Sequence, residues 1–312
     1  MSIISKIKTI WKLMVDADYR LYVLVSSGYK KNVPSEEVLK RTYRYMFGRD
    51  LNLQEPILYT EKLQWLKLYD HRPEYVRMVD KYEVKDYVAE IIGAEYVIPL
   101  LGVWNCVEDI DFNQLPTQFV LKTTHDSGGI VLCKNKDTLD IPKTRKKLQR
   151  LLNRDYYSCN REWPYKKVPR RIIAEEYMED PHHQELRDYK FFTFDGVPKV
   201  LYIAQGRGRG EQTYADFFDM EFQHLPFTID HDMAPERPEK PVNFELMKDL
   251  AAKLSAGTPQ LRVDFYEMDG RVYFGEMTFF HCSGMAPFHP QQWDQTFGEW
   301  LTLPPKRTEE IL

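Results

Sequence analysis

Two apolar runs, Leu261 to Tyr266 and Arg271 to Phe279, flank Met268-Asp269-Gly270. Strand, glycine-containing turn and strand in that order specify a β-hairpin. Asp264 and Glu276 lie inside runs otherwise built for burial, where a charged side chain needs a partner or a ligand. Their facing depends on the turn. A two-residue Asp-Gly loop pairs positions whose numbers sum to an odd value, which sends the two carboxylates to opposite faces. A three-residue loop with Gly270 in the left-handed position of a bulged turn pairs Glu267 with Arg271 instead. That register, the one expected here, puts Arg262, Asp264, Phe274, Glu276 and Thr278 on one face. Val263 and Met277 then face the opposite, packed side.

Two carboxylates and a hydroxyl on adjacent strands beside Arg262 suit a magnesium-nucleotide site, because hard cations take oxygen ligands from one or two carboxylates plus phosphates. The alternative is an ordinary charged sheet face. Upstream, Phe119-Val120-Leu121-Lys122 and Ile130-Val131-Leu132 flank a loop containing Ser127-Gly128-Gly129. Backbone N–H groups of such a loop can cradle phosphate oxygens, although the same glycines also serve a plain tight connection. It is not a Walker motif, since no lysine follows the glycines. Gly206-Arg207-Gly208-Arg209-Gly210 reads as a mobile turn whose Arg207 and Arg209 face an anionic substrate. His182 and His183 are adjacent and point apart, which favours a surface turn over a shared metal. The basic run from Lys143 to Arg154 reads as a solvated helix face, with a landing strip for a polyanion as the minor alternative.

The rest of the chain sets the class. Helical patterns come first, over Ser35 to Met46, Tyr59 to Tyr69 and Tyr75 to Ile92, and strands mixed with helices follow, which makes the protein α+β with a helical front end. Arg171 to Met178 reads as an apolar strand, Tyr189 to Phe194 with Lys199 to Ala204 as a second hairpin, and Phe244 to Leu254 as a helix. The expected divisions are a helical region over 1–75, an α/β part over 76–118, a glycine-loop subdomain over 119–178 and a metal-site subdomain over 179–312. With 312 residues, a net charge of −4 and 14% aromatic residues, disorder and a dedicated nucleic-acid binder are disfavoured. Four scattered cysteines without a C-x-x-C pair indicate neither a zinc site nor a disulfide framework. No apolar run reaches spanning length, so a cytoplasmic protein is expected. Ile3, Ile7, Ile10 and Met14 alternate with lysines as a basic amphipathic helix, either docked on the body or, for residues 3–14, in peripheral contact with the inner face of the membrane.

Taken in order, several segments resemble the ATP-grasp superfamily, and within it the branch named for teichuronopeptide biosynthesis, associated with bacterial surface polysaccharides. They are Glu61-Lys62-Leu63-Gln64-Trp65-Leu66-Lys67-Leu68, Asp80-Lys81-Tyr82, Ile98-Pro99-Leu100-Leu101-Gly102-Val103-Trp104, Phe119 to Lys122 with Ser127-Gly128, Asp188-Tyr189-Lys190-Phe191-Phe192, Arg262 to Tyr266 and Phe274 to Phe279. The resemblance covers roughly residues 45 to 305. It implies two α+β subdomains gripping ATP between antiparallel sheets.

Residue roles follow from the same resemblance. Lys81 and Lys122 would neutralise phosphates under the Ser127-Gly128-Gly129 loop, and Glu175-Glu176-Tyr177-Met178 would be the adenine hinge. Asp188 would meet the ribose and Lys190 the phosphates. Asp264, Glu276 and Thr278 would hold Mg²⁺, with threonine standing where many members have asparagine, and Arg262 would join Lys122 and Lys190 as the catalytic cations. The segment through His281 and Ser283 would line the acceptor pocket.

The implied reaction is ligation, in which a carboxylate is phosphorylated by ATP and an amine then attacks the acyl phosphate. The branch points to a uronic acid or amino acid of a surface polysaccharide, hence an anionic sugar and an amine as partners. A sugar kinase of the same fold and a non-catalytic nucleotide-binding partner remain as alternatives.

Overall fold

The computed structural model describes residues 11–29, 31–179, 186–206 and 212–308. Arg207, Arg209, His182, His183 and residues 3–10 of the amphipathic stretch lie outside the described residues; residues 11–15 are helical. Among the described residues no helix is long and apolar enough to cross a membrane.

Two antiparallel sheets organise the chain. The smaller orders its strands as Leu100–Trp104, Ile172–Glu176, Phe119–Thr123 and Ile130–Cys133. It packs on the helix Ile141–Leu152, whose Leu148 and Leu152 join Phe119, Leu121, Ile172 and Ala174 in one core. The strand Leu100–Trp104 pairs directly with Ile172–Glu176, so segments 76–118 and 119–178 share this sheet. The Lys143 to Arg154 expectation meets this helix: Lys143, Lys146 and Lys147 are exposed opposite the buried leucines, while Arg145 instead packs on the Phe112 ring and donates to the Val107 and Ile110 carbonyls.

The larger sheet runs Arg271–Thr278, Gln260–Met268, Asp188–Phe194, Val197–Gln205, Tyr214–Phe218 and His224–Leu225. It is buried on both faces, and the period-two alternation of its strands divides the aromatics. Phe191 and Phe265 face the helix Phe244–Ser255, with Phe191 and Phe244 rings 5.9 Å apart. Phe192 and Phe194 face the other way, against Phe297 and Tyr59.

The helix Tyr59–Tyr69 forms as its sequence predicts. Glu61, three residues past the cap, accepts from the N–H groups of Ile57 and Leu58 at 3.1 and 3.2 Å and satisfies donors that the first turn leaves open. Its polar residues are then used in tertiary contacts. Lys62 donates to the carbonyls of Gly298 and Leu301, while Gln64 and Lys67 reach the turn at Ser283 and Gly284.

The expected single helix from Tyr75 to Ile92 is instead two, Glu74–Val79 and Glu83–Ile92. Asp80 ends the first by accepting from the Tyr82 N–H at 2.9 Å, and the Arg171 guanidinium, 2.6 Å from the Asp80 carboxylate and 4.5 Å above the Tyr82 ring, fixes the break. A short-range side-chain bond to the backbone here competes with helix continuation.

Candidate active site

The hairpin Gln260–Met268 and Arg271–Thr278 corrects the expected turn. Met268 pairs with Arg271 around a two-residue loop, and Asp269 and Gly270 both have positive φ, 51° and 71°, as a type I′ turn requires. Glu267 therefore pairs with Val272, and Phe274 pairs with Phe265 on the packed side. A bulge then shifts the register between Asp264 and Phe265, so that Asp264 faces Glu276 and Arg262 faces Thr278. The shared face of the two carboxylates arises at Gly275, not at Gly270.

A Cβ on Gly275 would lie 3.1 Å from the Asp264 carbonyl oxygen and 3.2 Å from the Tyr266 ring. Gly275→Ala is expected to lose about 1 kcal/mol of stability by overpacking, read from the urea midpoint; a midpoint equal to wild type would show that the bulge has room to spare.

Register across the larger sheet gathers the site. Tyr202, Lys190, Asp264 and Glu276 form one cross-strand row, and Phe192, Arg262 and Thr278 a second. Lys190 bonds the Asp264 carboxylate and lies 3.3 Å from Asp188. Arg262 holds Asp264 through two bonds of 2.7 Å, Glu276 through one of 2.8 Å, and donates to His281 Nδ1 at 2.7 Å. Burial alone would raise the Asp264 carboxyl, but Arg262 and Lys190 outweigh it and bring it down to about 2.

The smaller sheet contributes the opposite wall. Glu175 is buried between Lys85, at 2.5 Å, and Lys122, and their two charges hold its carboxyl below the usual range against the upward push of burial. Lys81 reaches the Asp126 carbonyl and lies 3.8 Å from the Asp126 carboxylate; burial lowers the pKa of both Lys81 and Lys85. Asp126 is in turn fixed by the Thr123 hydroxyl at 2.6 Å.

A cavity of about 840 Å³ joins the two walls. Of the residues expected from the sequence, it is lined by Lys81, Lys122, Ser127, Gly128, Gly129, Glu175, Asp188, Lys190, Arg262, Glu276, Thr278, His281 and Ser283. Asp264 is buried directly behind Arg262 and Lys190. Glu176 is exposed, and Tyr177 lies with its ring 5.7 Å from the Lys134 ammonium.

Sequence reasoning missed Lys85, one helical turn past Lys81 on the Glu83–Ile92 helix, and Glu162, Tyr156 and Tyr165, which also line the cavity. Lys85 was detectable as i+4 from a flagged lysine. The other three carry no local motif.

The turn His281–Gly284 follows the hairpin in an unusual conformation, with φ of 47°, 56° and 62° at Cys282, Ser283 and Gly284. Left-handed backbone at successive non-glycine residues is strained and persists only when its surroundings fix it. Here Gln64 donates to the Ser283 and Gly284 carbonyls, and Lys67 to the Ser283 carbonyl and hydroxyl, both at 2.7 Å. A side chain at Gly284 would collide with Gln64 and Leu63. The Gln64 and Lys67 positions of the Tyr59–Tyr69 helix thus shape one wall of the site.

The donor set fits Mg²⁺ in its chemistry. Asp264 and Glu276 supply hard oxygens from facing positions, and Glu276, with its side chain 46% exposed, has an oxygen open to the cavity. Both oxygens of Asp264 are bonded to cations, so metal ligation by Asp264 requires Lys190 and Arg262 to transfer to other anions. Among the described residues no group of three or more His, Cys, Asp or Glu could by itself hold a metal ion.

Among solved structures, the chain is similar to the D-alanine–D-alanine ligase of Bacillus anthracis complexed with ATP, at 14% identity and a TM-score of 0.37, over 65% of this chain and 53% of that one. It is also similar to N5-carboxyaminoimidazole synthase of Aspergillus clavatus, at 13% identity and a TM-score of 0.38, over 67% of this chain and 46% of that one. Phosphoribosylamine–glycine ligase of Thermotoga maritima matches at 12% identity and a TM-score of 0.41, over 66% and 48%. The chain therefore spans about half the length of these structures. Among curated proteins none matches. The family model for TupA-like ATP-grasp matches residues 61–302, most of the chain and all of the cavity's charged residues, and the chain belongs to that family.

Proposed function

We propose that the protein is an ATP- and Mg²⁺-dependent carboxylate–amine ligase that forms an amide through an acyl phosphate. One observation carries the reading: five cations, Lys81, Lys85, Lys122, Lys190 and Arg262, converge from two sheets on one cavity that also holds Glu276 and Thr278. Such an array neutralises a polyphosphate, and each buried cation has a carboxylate or carbonyl partner that a phosphate oxygen can replace. Mg²⁺, when bound, would offset charge on the phosphates as the terminal phosphoryl group moves. Asp264 and Glu276 would hold it.

The chain's own residues do the rest. Lys122 and Lys81 face the phosphate loop of Ser127 to Gly129, while Lys190 and Arg262 stand on the side of the cavity nearer His281 and Ser283. Arg262, held by four hydrogen bonds to Asp264, Glu276 and His281, would stabilise negative charge on the reacting carboxyl and phosphoryl oxygens once Asp264 is engaged by the metal. The His281–Gly284 turn borders the second-substrate side. The carboxylate we propose, on the sequence resemblance alone, is a uronic acid or amino acid of a bacterial surface polysaccharide or its precursor.

Incubation with ATP, Mg²⁺, a panel of uronates and an amino-acid pool, read by mass spectrometry, tests the proposal. An amide with ADP and phosphate is the expected product. A phosphorylated sugar in its place would make the protein a kinase.

A further inference from the structure

Part of the cavity's lining forms a chamber that the phosphate-binding reading does not use. Tyr156, Asn160, Glu162, Tyr165, Cys282 and Ser283 line it. Glu162 is only 4% exposed, yet it lines the cavity. The segment that carries it is rigidly held. Arg161 takes a left-handed conformation at the end of the helix Tyr156–Asn160, and its guanidinium is anchored 3.2 Å from the carbonyls of Lys31 and Val33.

The cations near this chamber are already engaged. Lys67 spends its three ammonium protons on the Asn160 carbonyl, the Ser283 carbonyl and the Ser283 hydroxyl, at 3.1, 2.7 and 2.7 Å. Arg262 is committed to Asp264, Glu276 and His281. Glu162 interacts with the Ser283 hydroxyl and feels Lys67 and Arg262 as nearby charges. Burial pushes its carboxyl up, against the opposing pull of Lys67, the Ser283 hydroxyl and Arg262. Two aromatic rings complete the chamber: Tyr156 and Tyr165 lie edge to face at 4.8 Å, and burial keeps both phenols neutral.

A carboxylate flanked by aromatic rings in a desolvated chamber has the chemistry that recognises an organic ammonium, through charge on one side and ring faces on the other. We propose that Glu162, Tyr156 and Tyr165 form the subsite for the primary amino group of the second substrate, beside the Ser283 turn. This rests on the ligase reading and deepens it, because it assigns the nucleophile's place and makes it a primary amine.

Fluorescence anisotropy with dansylcadaverine as the primary-ammonium probe, on protein supplied with Mg²⁺ and ATP, tests the subsite; N-methylanthraniloyl-ATP reports nucleotide binding separately. Saturable probe binding is expected in the wild type, weakened at least tenfold in Glu162→Gln, while nucleotide affinity stays within threefold. Because Glu162→Gln leaves Lys67 buried beside a neutral side chain, the Tyr156→Leu variant, which keeps both charges and the bonds of Lys67 to the Ser283 turn, provides a second comparison and should also weaken probe binding. If the wild type binds nucleotide but not the probe, or if the variants bind the probe as tightly as the wild type, the ammonium subsite is wrong. Failure of the wild type to bind the nucleotide would instead overturn the ligase reading beneath it.

Discussion

The Asp264→Asn protein is expected to unfold about 3–5 kcal/mol more readily than the wild type, as well as to lose ATP turnover. Asp264 is 1% exposed and is bonded to both Lys190 and Arg262. Neutralising it leaves two buried cations facing an amide, the arrangement in which breaking an ion pair is most costly. Glu276→Gln should behave differently. Its side chain is 46% exposed and its ion pair among the described residues is with the Arg262 guanidinium, so stability should change by less than about 1 kcal/mol while turnover is still abolished.

Urea unfolding of the two variants beside a coupled ADP-release assay separates the effects; equal stability of Asp264→Asn and wild type would show that this pair contributes nothing to the fold. The pH dependence has a definite sign. Because the folded-state carboxyl is depressed to about 2, its contribution is complete above the unfolded-state value of about 3.9 and is lost as the pH falls through the folded-state value. Acid unfolding should therefore begin at higher pH in Asp264→Asn.

Why some of this was legible in the sequence and some was not follows from the range of the interactions. The helix Tyr59–Tyr69 and the hairpin Asp188–Phe194 with Val197–Gln205 depend on local signals, a Glu61 cap and an Asp195-Gly196 turn with both residues at positive φ, and both were readable. The C-terminal hairpin was half readable. Its acidic residues announced a common face, but the extra residue at Gly275 carries no sequence signal beyond being glycine, so the right facing was expected for the wrong turn.

The break at Asp80-Lys81-Tyr82 was hidden because helical periodicity continues on both sides of it, and the residue that stabilises it, Arg171, is distant in sequence. Lys67 shows the same limit from the other direction. On its helix it reads as one more amphipathic lysine, and only the fold brings it to Ser283, more than two hundred positions later. Glu162 and the two tyrosines have no periodic or motif signature, since their chemistry comes from being enclosed.

Lys122→Ala should fold normally and bind ATP about 10- to 100-fold more weakly, the value of one hydrogen-bonded charge at about 1.5–3 kcal/mol. The expectation of normal folding comes from the doubled counter-ion. Glu175 is paired with Lys85 as well as Lys122, so removing Lys122 leaves the buried carboxylate with a cation at 2.5 Å. Removing both lysines together should behave like Asp264→Asn, because Glu175 would then be a buried charge without its two partners.

The comparison of single and double variants distinguishes the two roles a strand lysine can play. If Lys122 is a phosphate ligand, the single variant loses nucleotide affinity at nearly constant stability, and calorimetric titration with Mg·ATP shows the loss directly. If it is only a counter-ion for Glu175, affinity is unchanged in the single variant and the loss appears as stability in the double. The geometry favours the first outcome. A buried carboxylate needs one good cation, and this one has two, both lining the same cavity as the Ser127 to Gly129 loop. On the proposed nucleotide reading the second lysine serves a phosphate, whose oxygens the backbone donors of a glycine loop can share.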